Sequence, residues 1–333
     1  GFDPTVVVGA SPIGGRSGGR FGLGRPMVVE ACEYRESFRH LRPELAAILN
    51  IEPDHFDCFD SPAELEDAFA RFAQAVPSSG LVLAQAECAA ARRACAELAC
   101  ASETFGLSRD ATWQATAVSQ RRGYYSFELR CCERLVCEVK LPVPGLHNVQ
   151  NALAAAALAS HCGASGQAIR EGLERFAGLR RRLQLLGEVR DVALVDDYAH
   201  HPTEVAATLS TLREMYADRR LWCVFQPHQA SRLARLLDGF AKSLQIADKI
   251  VLAEVYRARE EPPLGDEATA EHLRLRLEAL GSDVVQLASA AQIRDHLRQS
   301  LTAGDVLVTM GAGDIGRVAH ELGKGLRTFR KAG

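Results

Sequence analysis

The sequence predicts an α/β fold in two successive domains, each built around a largely parallel sheet. Apolar runs of strand length alternate with helical patterns through most of the 333 residues, which is typical of βαβ units. Hydrophobic residues make up 47% of the chain and charged residues 24%, a composition that supports a sizeable core in each of about two domains. Polar side chains follow several predicted strands, where open α/β folds bind ligands.

The first half of the chain is predicted to contain a parallel sheet and a small antiparallel sheet. The predicted elements are buried strands at 27–29 and 45–51, a helix at 62–75, a strand at 80–84 and an Ala-rich helix at 148–162. Between them, residues 112–141 alternate apolar and polar side chains on either side of Arg122 and Gly123. This alternation predicts an antiparallel sheet rather than another βαβ unit.

The second half alternates strands and helices again and is predicted to be a second α/β domain. Its strands are expected near 192–195, 221–225, 249–254, 284–287 and 305–309, each with a helical segment behind it. We place the boundary near Gly178 to Arg182. The first domain then spans 1–178 and the second spans 179–333.

Composition and charge exclude several classes of protein. The formal net charge of −3 gives no broad field for nucleic acid, and no apolar run approaches the roughly 18 residues of a membrane span. Ten cysteines are spread over the chain without a Cys-x-x-Cys pair, which favours reduced thiols. We therefore expect a soluble, cytoplasmic protein. Because the chain starts with Gly and is Gly-rich over 9–25, we also expect it to begin inside a domain.

The densest group of functional side chains is the run from Asp196 to Glu204. Two aspartates, a tyrosine and two histidines of this run stand directly behind the apolar strand 192–195 and ahead of a helix predicted from Pro202. An Asp/His-rich helix cap is the alternative, and it would be preferred for any one of these residues alone. Five such side chains at the carboxyl end of a strand favour a ligand site.

Other strand exits, the segments that directly follow the carboxyl ends of predicted strands, also carry ionisable side chains. Glu30 ends the first predicted strand, at a position where nucleotide-binding sheets hold Mg²⁺, and His55 follows the next strand. Both could point into one crevice at neighbouring strand ends, although a structural role for His55 is the alternative. In the second domain His228 and Arg232 follow the strand 221–225, so two polar strand exits are expected on one sheet.

Three further motifs allow both a functional and a structural interpretation. Asn148 and Asn151 share one helix face and could bind a purine edge, or Asn148 could simply cap the helix. The cluster Arg180–Arg182 could clamp a phosphate between the domains, or be a solvated charge run. Gly311–Gly316 matches G-x-G-x-x-G, but the chain ends within one helix, so a tight turn packed against that helix is the better interpretation.

In this order the motifs resemble the Mur ligase family over nearly the whole chain. The matching segments are Glu30 with Glu33, 50–55, 144–151, 176–183, 196–204, 225–232 and 310–315. The most specific are Asp-Asp-Tyr-Ala-His-His-Pro-Thr-Glu at 196–204 and Phe-Gln-Pro-His at 225–228. The resemblance implies that 1–178 is the remainder of a P-loop-type ATP-binding domain and that 179–333 is a Rossmann-like carboxyl-terminal domain.

The resemblance also implies an activity, that of an ATP-dependent amide ligase of peptidoglycan precursor synthesis. Such an enzyme joins L-alanine to the carboxylate of UDP-N-acetylmuramate through an acyl phosphate. The implied residues are Glu30 and His55 for Mg²⁺; His147, Asn148, Asn151, Arg182 and Asp197 for ATP; and Tyr198, His200, His228 and Arg232 for L-alanine and the acyl phosphate. Among these, the implied catalytic residues are Glu30, His55, His200 and Arg232.

Two departures from the family pattern bear on activity. The family's Gly-rich phosphate loop with Lys and Ser or Thr and its amino-terminal UDP-binding domain are both absent from this sequence. We therefore expect a truncated form that does not turn over by itself. The alternatives are a related ligase that adds a preformed peptide to UDP-N-acetylmuramate, a non-catalytic binding module, a nicotinamide oxidoreductase resting on Gly311–Gly316, and a metal-dependent phosphohydrolase using Asp197, His200, His201, His55 and His228.

Overall fold

The computed structural model describes residues 1–15, 18–258 and 269–328, with side chains up to Lys324 in the last helix. The chain divides into two units, Gly1–Ala177 (unit 1) and Gly178–Gly333 (unit 2). Each unit contains a six-stranded sheet, and the α/β class predicted from the sequence is confirmed. Over the described ranges, no helix combines the length and the apolar character that crossing a membrane requires.

Unit 1 begins with three short strands and continues with alternating strands and helices. In chain order its elements are β1 (Thr5–Val7), β2 (Gly19–Arg20), β3 (Met27–Val29), a 3₁₀ segment (Tyr34–His40), β4 (Leu45–Ile48), α1 (Pro62–Gln74), β5 (Leu81–Gln85), α2 (Ala89–Ala94), β6 (Ala101–Gly106), β7 (Trp113–Arg121), β8 (Tyr124–Cys131), β9 (Arg134–Lys140), α3 (Leu146–His161) and α4 (Gly166–Glu174). Helix α1 begins where the sequence predicts, because the Ser61 side chain accepts a hydrogen bond from the N–H of Glu64 and caps the helix.

Strands β4 to β9 form one mixed sheet rather than two separate sheets. The strand order is β4-β5-β6-β7-β8-β9; neighbours from β4 to β7 are parallel, whereas β7, β8 and β9 pair antiparallel. The turn between β7 and β8 consists of Arg122 and Gly123, both at positive φ (50° and 77°), as a two-residue hairpin turn requires. The predicted antiparallel segment is therefore present, but it continues the parallel sheet.

The predicted strand at 27–29 exists but is not buried. Strand β3 pairs with β1 in a separate three-stranded sheet, where Met27 is 63% and Val28 49% exposed. A short apolar run does not reveal whether a second layer covers it, which is why the prediction of burial is wrong. Since β3 and β4 belong to different sheets, the expectation that Glu30 and His55 lie at neighbouring strand ends is also wrong.

Helices cover both faces of the six-stranded sheet of unit 1. On one face, Leu83 of β5 and Phe127 of β8 belong to a buried cluster that includes Leu153 of α3. On the other face, Ile48 of β4 lies in a cluster with Phe72 of α1. Because strand side chains alternate between faces, these two clusters form the two halves of a three-layered α/β/α core.

Unit 2 is an α/β domain with one antiparallel edge strand. In chain order its elements are β10 (Gln184–Val189), β11 (Val192–Asp197), α5 (Pro202–Met215), β12 (Leu221–Phe225), α6 (Ala230–Leu244), β13 (Lys249–Ala253), α7 (Ala270–Ala279), β14 (Val284–Leu287), α8 (Ala290–Ser300), β15 (Val306–Met310) and α9 (Gly316–Thr328). The strand order is β10-β11-β15-β12-β13-β14, and only the pair β10–β11 is antiparallel. Strands β11, β12 and β15 are buried along their whole length, as continuous apolar runs in a parallel sheet should be.

The core of unit 2 also has two halves. Val195 of β11 and Phe225 of β12 lie in a buried cluster with Leu209 of α5. The adjacent Leu194 lies in a second cluster, with Leu297 of α8. Helices α5 and α8 therefore cover opposite faces of the sheet, as the alternation of side chains along a strand requires.

A buried carboxylate ties the end of β11 to its neighbouring segments. Asp197 is 4% exposed; its Oδ2 accepts hydrogen bonds from the N–H of Leu183 (2.6 Å) and the hydroxyl of Thr208 (3.3 Å), and its Oδ1 accepts one from the N–H of Ala199 (2.6 Å). Burial raises the pKa of Asp197 to about 6, although the two backbone donors oppose this shift. The carboxylate thus fixes the segment before β10, the loop after β11 and helix α5 relative to one another.

Replacing Leu153 by Ala should destabilise unit 1. The Leu153 side chain has no solvent exposure, so truncation removes buried contacts and leaves a cavity, at a cost of about 2–5 kcal/mol. Urea unfolding should be followed by the fluorescence of Trp113 in a W222F background, because the two tryptophans of the chain lie one in each unit. The matched control is L135A in β9, where the side chain is 51% exposed; equal losses in both variants would contradict the proposed core.

Asp197 should make the stability of unit 2 depend on pH. Because its pKa is about 6 in the folded protein instead of 3.8, the folded state binds more protons than the unfolded state between those values. The unfolding free energy contributed by this group should therefore fall as pH rises from 3.8 to about 6, by roughly 3 kcal/mol at most. Urea unfolding at a series of pH values, followed by Trp222 fluorescence in a W113F background, measures this slope.

The slope should be absent from D197N and present in D218N, where the replaced carboxylate is exposed. Parallel pH profiles for the unsubstituted chain and D197N would show that Asp197 does not titrate in this range.

Candidate functional site

Four strand exits of unit 2 lie side by side at one edge of its sheet. Strands β11, β15, β12 and β13 are consecutive in the sheet order and run parallel, so their carboxyl ends meet at one edge. The segments that follow them are 198–201, 311–315, 226–229 and 254–256. The two polar exits predicted from the sequence, after β11 and β12, are therefore on the same edge, with the exit of β15 between them.

Part of the polar run after β11 caps helix α5. His201 is the N-cap residue, and its Nδ1 accepts a hydrogen bond from the N–H of Thr203 (3.4 Å). Glu204 accepts hydrogen bonds from the N–H groups of His200 (2.9 Å) and His201 (3.2 Å), which completes a capping box. The helix-cap interpretation is therefore correct for His201 and Glu204, but it does not account for the side chains of Tyr198 and His200.

Tyr198 lies close to two guanidinium groups. The Cζ atoms of Arg181 and Arg182 lie 4.9 Å and 5.3 Å from the centre of its ring, within the range of cation–π contacts. The N–H of Tyr198 donates to the carbonyl of Arg181 (2.6 Å), and Arg182 Nη1 donates to Glu204 Oε1 (3.2 Å). These contacts fix the phenol ring and place two positive charges beside it, which favours an anionic ligand.

His200 is oriented by backbone and carboxylate groups. Its ring stands edge-on to that of Tyr198, with centroids 5.2 Å apart, and its Nδ1 lies 2.9 Å from the carbonyl oxygen of Tyr198. Because a carbonyl can only accept, this contact places a proton on Nδ1. Glu204 Oε2 lies 3.3 Å from the same nitrogen. Burial disfavours the charge of Glu204, but His200 and Arg182 outweigh it and hold the pKa of this carboxyl below its usual value.

His228 contacts Arg232 and two aromatic rings. Arg232 lies in the first turn of α6, is 3% exposed, and places Nη1 3.1 Å from His228 Nδ1. The His228 ring is 5.9 Å from that of His200 and stacks on Tyr256, with centroids 5.7 Å apart and an interplanar angle of 17°. The structure therefore brings together Tyr198, His200, His228 and Arg232, for which the resemblance to Mur ligases implies contacts with L-alanine and the acyl phosphate.

The glycine-rich turn after β15 packs closely against its neighbours. Gly311 adopts φ 148°, and a Cβ at Gly313 would lie 2.3 Å from Oε1 of Gln226. Arg181 Nη2 donates to the carbonyl oxygens of Gly311 (2.5 Å) and Gly313 (3.0 Å). The interpretation of G-x-G-x-x-G as a tight, closely packed turn is confirmed, since only glycine fits where these groups approach.

In unit 1 the structure pairs His55 with Glu33. His55 Nε2 lies 3.0 Å from Glu33 Oε1, and this hydrogen bond lowers the pKa of Glu33. The ring of Tyr34 is 5.4 Å from that of His55. Glu30 Oε2 instead accepts a hydrogen bond from the N–H of Gly9 (2.5 Å). The carboxylate that contacts His55 is therefore Glu33, which matches the family pattern together with Glu30 but was assigned no role.

The Mg²⁺ ligands expected from the sequence, Glu30 and His55, stay a prediction. Among the residues that the structure describes, no three His, Cys, Asp or Glu side chains form a metal-binding group. A nucleotide-bound Mg²⁺ needs only one or two protein ligands, because phosphate oxygens and waters complete its octahedron. A single imidazole oriented by a carboxylate, as His55 is by Glu33, fits that limited role and does not fit a two-metal site.

Asn148 and Asn151 lie on one face at the start of α3, as predicted. Asn151 Nδ2 donates to Asn148 Oδ1 (3.3 Å), and Asn148 Nδ2 donates to the carbonyl of Pro144 (2.7 Å). The N-cap residue is Gly145, without a side-chain hydrogen bond, so the interpretation of Asn148 as a helix cap is wrong. With His147 in the same turn, two amides and an imidazole stand together at the amino end of α3.

Two residues at the edge of the unit 2 sheet were not identified from the sequence. Arg181 belongs to the predicted arginine cluster, in which only Arg182 was assigned a role. Tyr256 follows β13 between Glu254 and Arg257, in a segment that matched no motif. The one usable signal for Tyr256 was its position shortly after an apolar strand, the same signal that identified His228.

Two family models match the chain. The Mur ligase middle domain matches residues 26–159, and the glutamate ligase domain of Mur ligases matches residues 181–313. The chain is 38% identical to the UDP-N-acetylmuramate–L-alanine ligase of Caldicellulosiruptor bescii over 319 residues, which cover 95% of this chain and 69% of that protein. It is 37% identical over 321 residues to the ligase of the same name from Salinibacter ruber, covering 96% and 67%.

Solved structures show the same relationship. The UDP-N-acetylmuramate–alanine ligase of Thermotoga maritima superposes with a TM-score of 0.79 and 27% identity, over 98% of this chain and 70% of that one. A murein peptide ligase from Psychrobacter arcticus gives a TM-score of 0.72 and 25% identity, over 97% and 72%. From these matches and the order of its motifs, the chain belongs to the Mur ligase family.

Proposed function

We propose that this chain carries the catalytic residues of an ATP-dependent ligase that joins L-alanine to the carboxylate of UDP-N-acetylmuramate. The proposal rests on one observation, the cluster of Tyr198, His200, His228 and Arg232 at the carboxyl edge of the unit 2 sheet. Relatives that are 37% and 38% identical to this chain over the aligned residues are named for the same activity.

The charges of this cluster suit the two reactants that meet there. L-alanine carries a carboxylate, and the acyl phosphate carries negative phosphate oxygens. Arg232 is buried and contacts a ring nitrogen of His228, and a planar guanidinium can bind two oxygens of a carboxylate or phosphate at once. Arg181 and Arg182, both close to the ring of Tyr198, add to the attraction for anions.

The amide-forming step requires a group that accepts a proton. The amino nitrogen of L-alanine attacks the carbonyl carbon of the acyl phosphate, the bond from that carbon to the phosphate oxygen breaks, and the nitrogen releases a proton. We assign this proton to Nε2 of His200, because its Nδ1 already carries a proton directed at the carbonyl of Tyr198. The positive charge then formed on His200 is stabilised by ionised Glu204.

We propose that unit 1 supplies most of the nucleotide contacts. His147, Asn148 and Asn151 at the start of α3 would hold the adenine. Glu30 and His55 would hold Mg²⁺, and Glu33 would orient His55 through their hydrogen bond. When bound, Mg²⁺ neutralises charge on the phosphate oxygens.

Unit 2 would reach ATP through Arg182 and Asp197. Arg182 can bind a phosphate directly, whereas both oxygens of Asp197 already accept hydrogen bonds within unit 2. We therefore propose that Asp197 contributes to ATP binding indirectly. Its carboxylate fixes the backbone of Leu183 and so positions the adjacent Arg182. In domain terms, 1–178 would be the remainder of the ATP-binding domain and 179–333 the carboxyl-terminal domain.

A ligase that adds a preformed peptide to UDP-N-acetylmuramate is the second candidate, since a murein peptide ligase shares the fold. The phosphohydrolase alternative requires several metal ligands in one place, and the described part of the chain contains no such group. The three activities differ in the acceptor they require. The first depends on free L-alanine, the second on a preformed peptide, and the hydrolase on neither.

The proposed activity is tested by phosphate release from ATP in the presence of UDP-N-acetylmuramate, using the protein as its gene encodes it. We expect release that depends on L-alanine and yields one amide product per phosphate by mass spectrometry. Glycine and the dipeptide L-Ala-D-Glu serve as comparison acceptors. Release without an amino acid would indicate a hydrolase, and a preference for the peptide would indicate the second candidate.

Replacing Arg232 by Ala should abolish most of this activity. The side chain is buried beside His228, so its loss removes preorganised charge from the site and should lower kcat/KM for L-alanine at least about 100-fold. R232K should recover only part of the activity, because an ammonium cannot bind two oxygens in a plane. Initial rates of phosphate release measure the effect.

The matched control is R235A, three residues further along the same helix at an exposed position. It should stay within about twofold of the unsubstituted protein, as exposed substitutions away from a site generally do. If R232A and R235A lose activity equally, Arg232 has no specific role.

A further inference from the structure

Tyr256 is fixed next to His228 by the backbone. The N–H of Tyr256 donates to the carbonyl of Pro227 (2.8 Å), and the N–H of Gln229 donates to the carbonyl of Tyr256 (2.9 Å). These two hydrogen bonds extend the pairing of β12 and β13 by a single bridge between His228 and Tyr256. The Tyr256 ring therefore has a defined position, although 40% of the residue is exposed.

The ring of Tyr256 is also confined on the side of the glycine turn. A Cβ at Gly313 would come within 2.8 Å of the Tyr256 ring, so the ring lies directly on the backbone of that turn. The same ring stacks on His228, almost parallel to it. Tyr256 thus fills the space between the turn after β15 and His228, and it restricts the plane of the imidazole.

The contact with Arg232 determines where His228 carries its proton. A guanidinium has only donors, so Arg232 Nη1 donates to His228 Nδ1 across 3.1 Å. The imidazole is then neutral and has its proton on Nε2. His200 differs, because its Nδ1 lies against a carbonyl oxygen and must carry a proton. The two neighbouring histidines are thus protonated at opposite ring positions.

We propose that Tyr256 is a positioning residue of this site: by stacking on His228 it holds the imidazole against Arg232, so that His228 stays neutral and presents Nε2–H as a hydrogen-bond donor. Among the described residues, the charged and titratable groups in contact with His228 include Arg232 from α6, His200 from the loop after β11 and Tyr256 itself. A neutral donor of this kind stabilises negative charge that develops on a reacting oxygen. This consequence for catalysis rests on the proposed ligase function; the protonation state of His228 does not.

The protonation state is tested by two-bond ¹H–¹⁵N correlation spectra of the histidine-labelled protein at neutral pH. The chain has ten histidines, and the spectrum of H228Q identifies the signals of His228. We expect a neutral ring with its proton on Nε2 in the unsubstituted protein and in Y256F, which keeps the stacked ring. In Y256L the ring loses its support, and we expect a mixture of the two neutral forms or a protonated ring.

The kinetic readout separates positioning from folding. Y256L should lower kcat for L-alanine-dependent phosphate release at least about tenfold, because small displacements of an aligned group are costly, while KM for ATP stays within about twofold. Y256F should restore most of kcat. G313A is a second variant, since the added methyl group displaces the Tyr256 ring from the other side; it should reproduce the spectrum of Y256L. Thermal unfolding of each variant shows that it is folded.

The inference is overturned if His228 carries its proton on Nδ1, or on both nitrogens, in the unsubstituted protein. It is also overturned if Y256L and G313A leave both the spectrum and kcat unchanged. If no variant shows L-alanine-dependent release while the spectra follow the expectation, the proposed function fails but the role of Tyr256 in holding His228 stands.

Discussion

The carboxylate of Asp197 is the constraint on which the arrangement of unit 2 depends. It accepts hydrogen bonds from the segment before β10, from the loop after β11 and from helix α5. A buried ionised carboxylate is costly unless such donors compensate for lost hydration. Its position therefore dictates that these three segments converge at the carboxyl end of β11. Tyr198 and Arg182, each next to one of the bound backbone groups, are placed by the same interaction.

The polar run after β11 divides its residues between structure and chemistry. Asp197, His201 and Glu204 satisfy backbone N–H groups, and by doing so they leave Tyr198 and His200 in fixed positions. Glu204 belongs to both groups, because it caps α5 and also lies beside Nδ1 of His200. A helix cap and a ligand site are therefore not alternatives at this position, since the cap is what orients the histidine.

The sequence predicts the positions of strands and helices better than it predicts their burial or the sheet to which a strand belongs. Alternation of apolar and polar residues reveals the strands of both units, because side-chain period depends only on local geometry. It could not reveal that Met27 and Val28 are exposed, since burial depends on which layer lies above them. It also could not reveal that β3 and β4 belong to different sheets, because sheet membership is set by pairing between distant segments.

The residues of the candidate site were also predicted only in part. Tyr198, His200, His228 and Arg232 were identified from motifs, because each stands in a polar segment after an apolar strand. The contact of Glu33 with His55 was not predicted, since the strand-end argument pointed to Glu30. Tyr256 was missed because a single aromatic residue in a loop is ordinary in any sequence. Its importance arises from strand order, which places the exit of β13 next to that of β12.

Strand order also explains the glycines after β15. This strand lies between β11 and β12, so its exit separates the loops that carry His200 and His228. The two rings nevertheless come within 5.9 Å of each other, and Gln226 and Tyr256 both lie against Gly313. A larger side chain at Gly313 would occupy the space that these groups share. The match to a dinucleotide-binding pattern therefore has a simple cause, since both patterns use glycine where other groups must approach the backbone closely. In this chain the approaching groups are the side chains of Gln226 and Tyr256, which follow β12 and β13. The absence of a side chain at Gly313 leaves them the space to approach the turn.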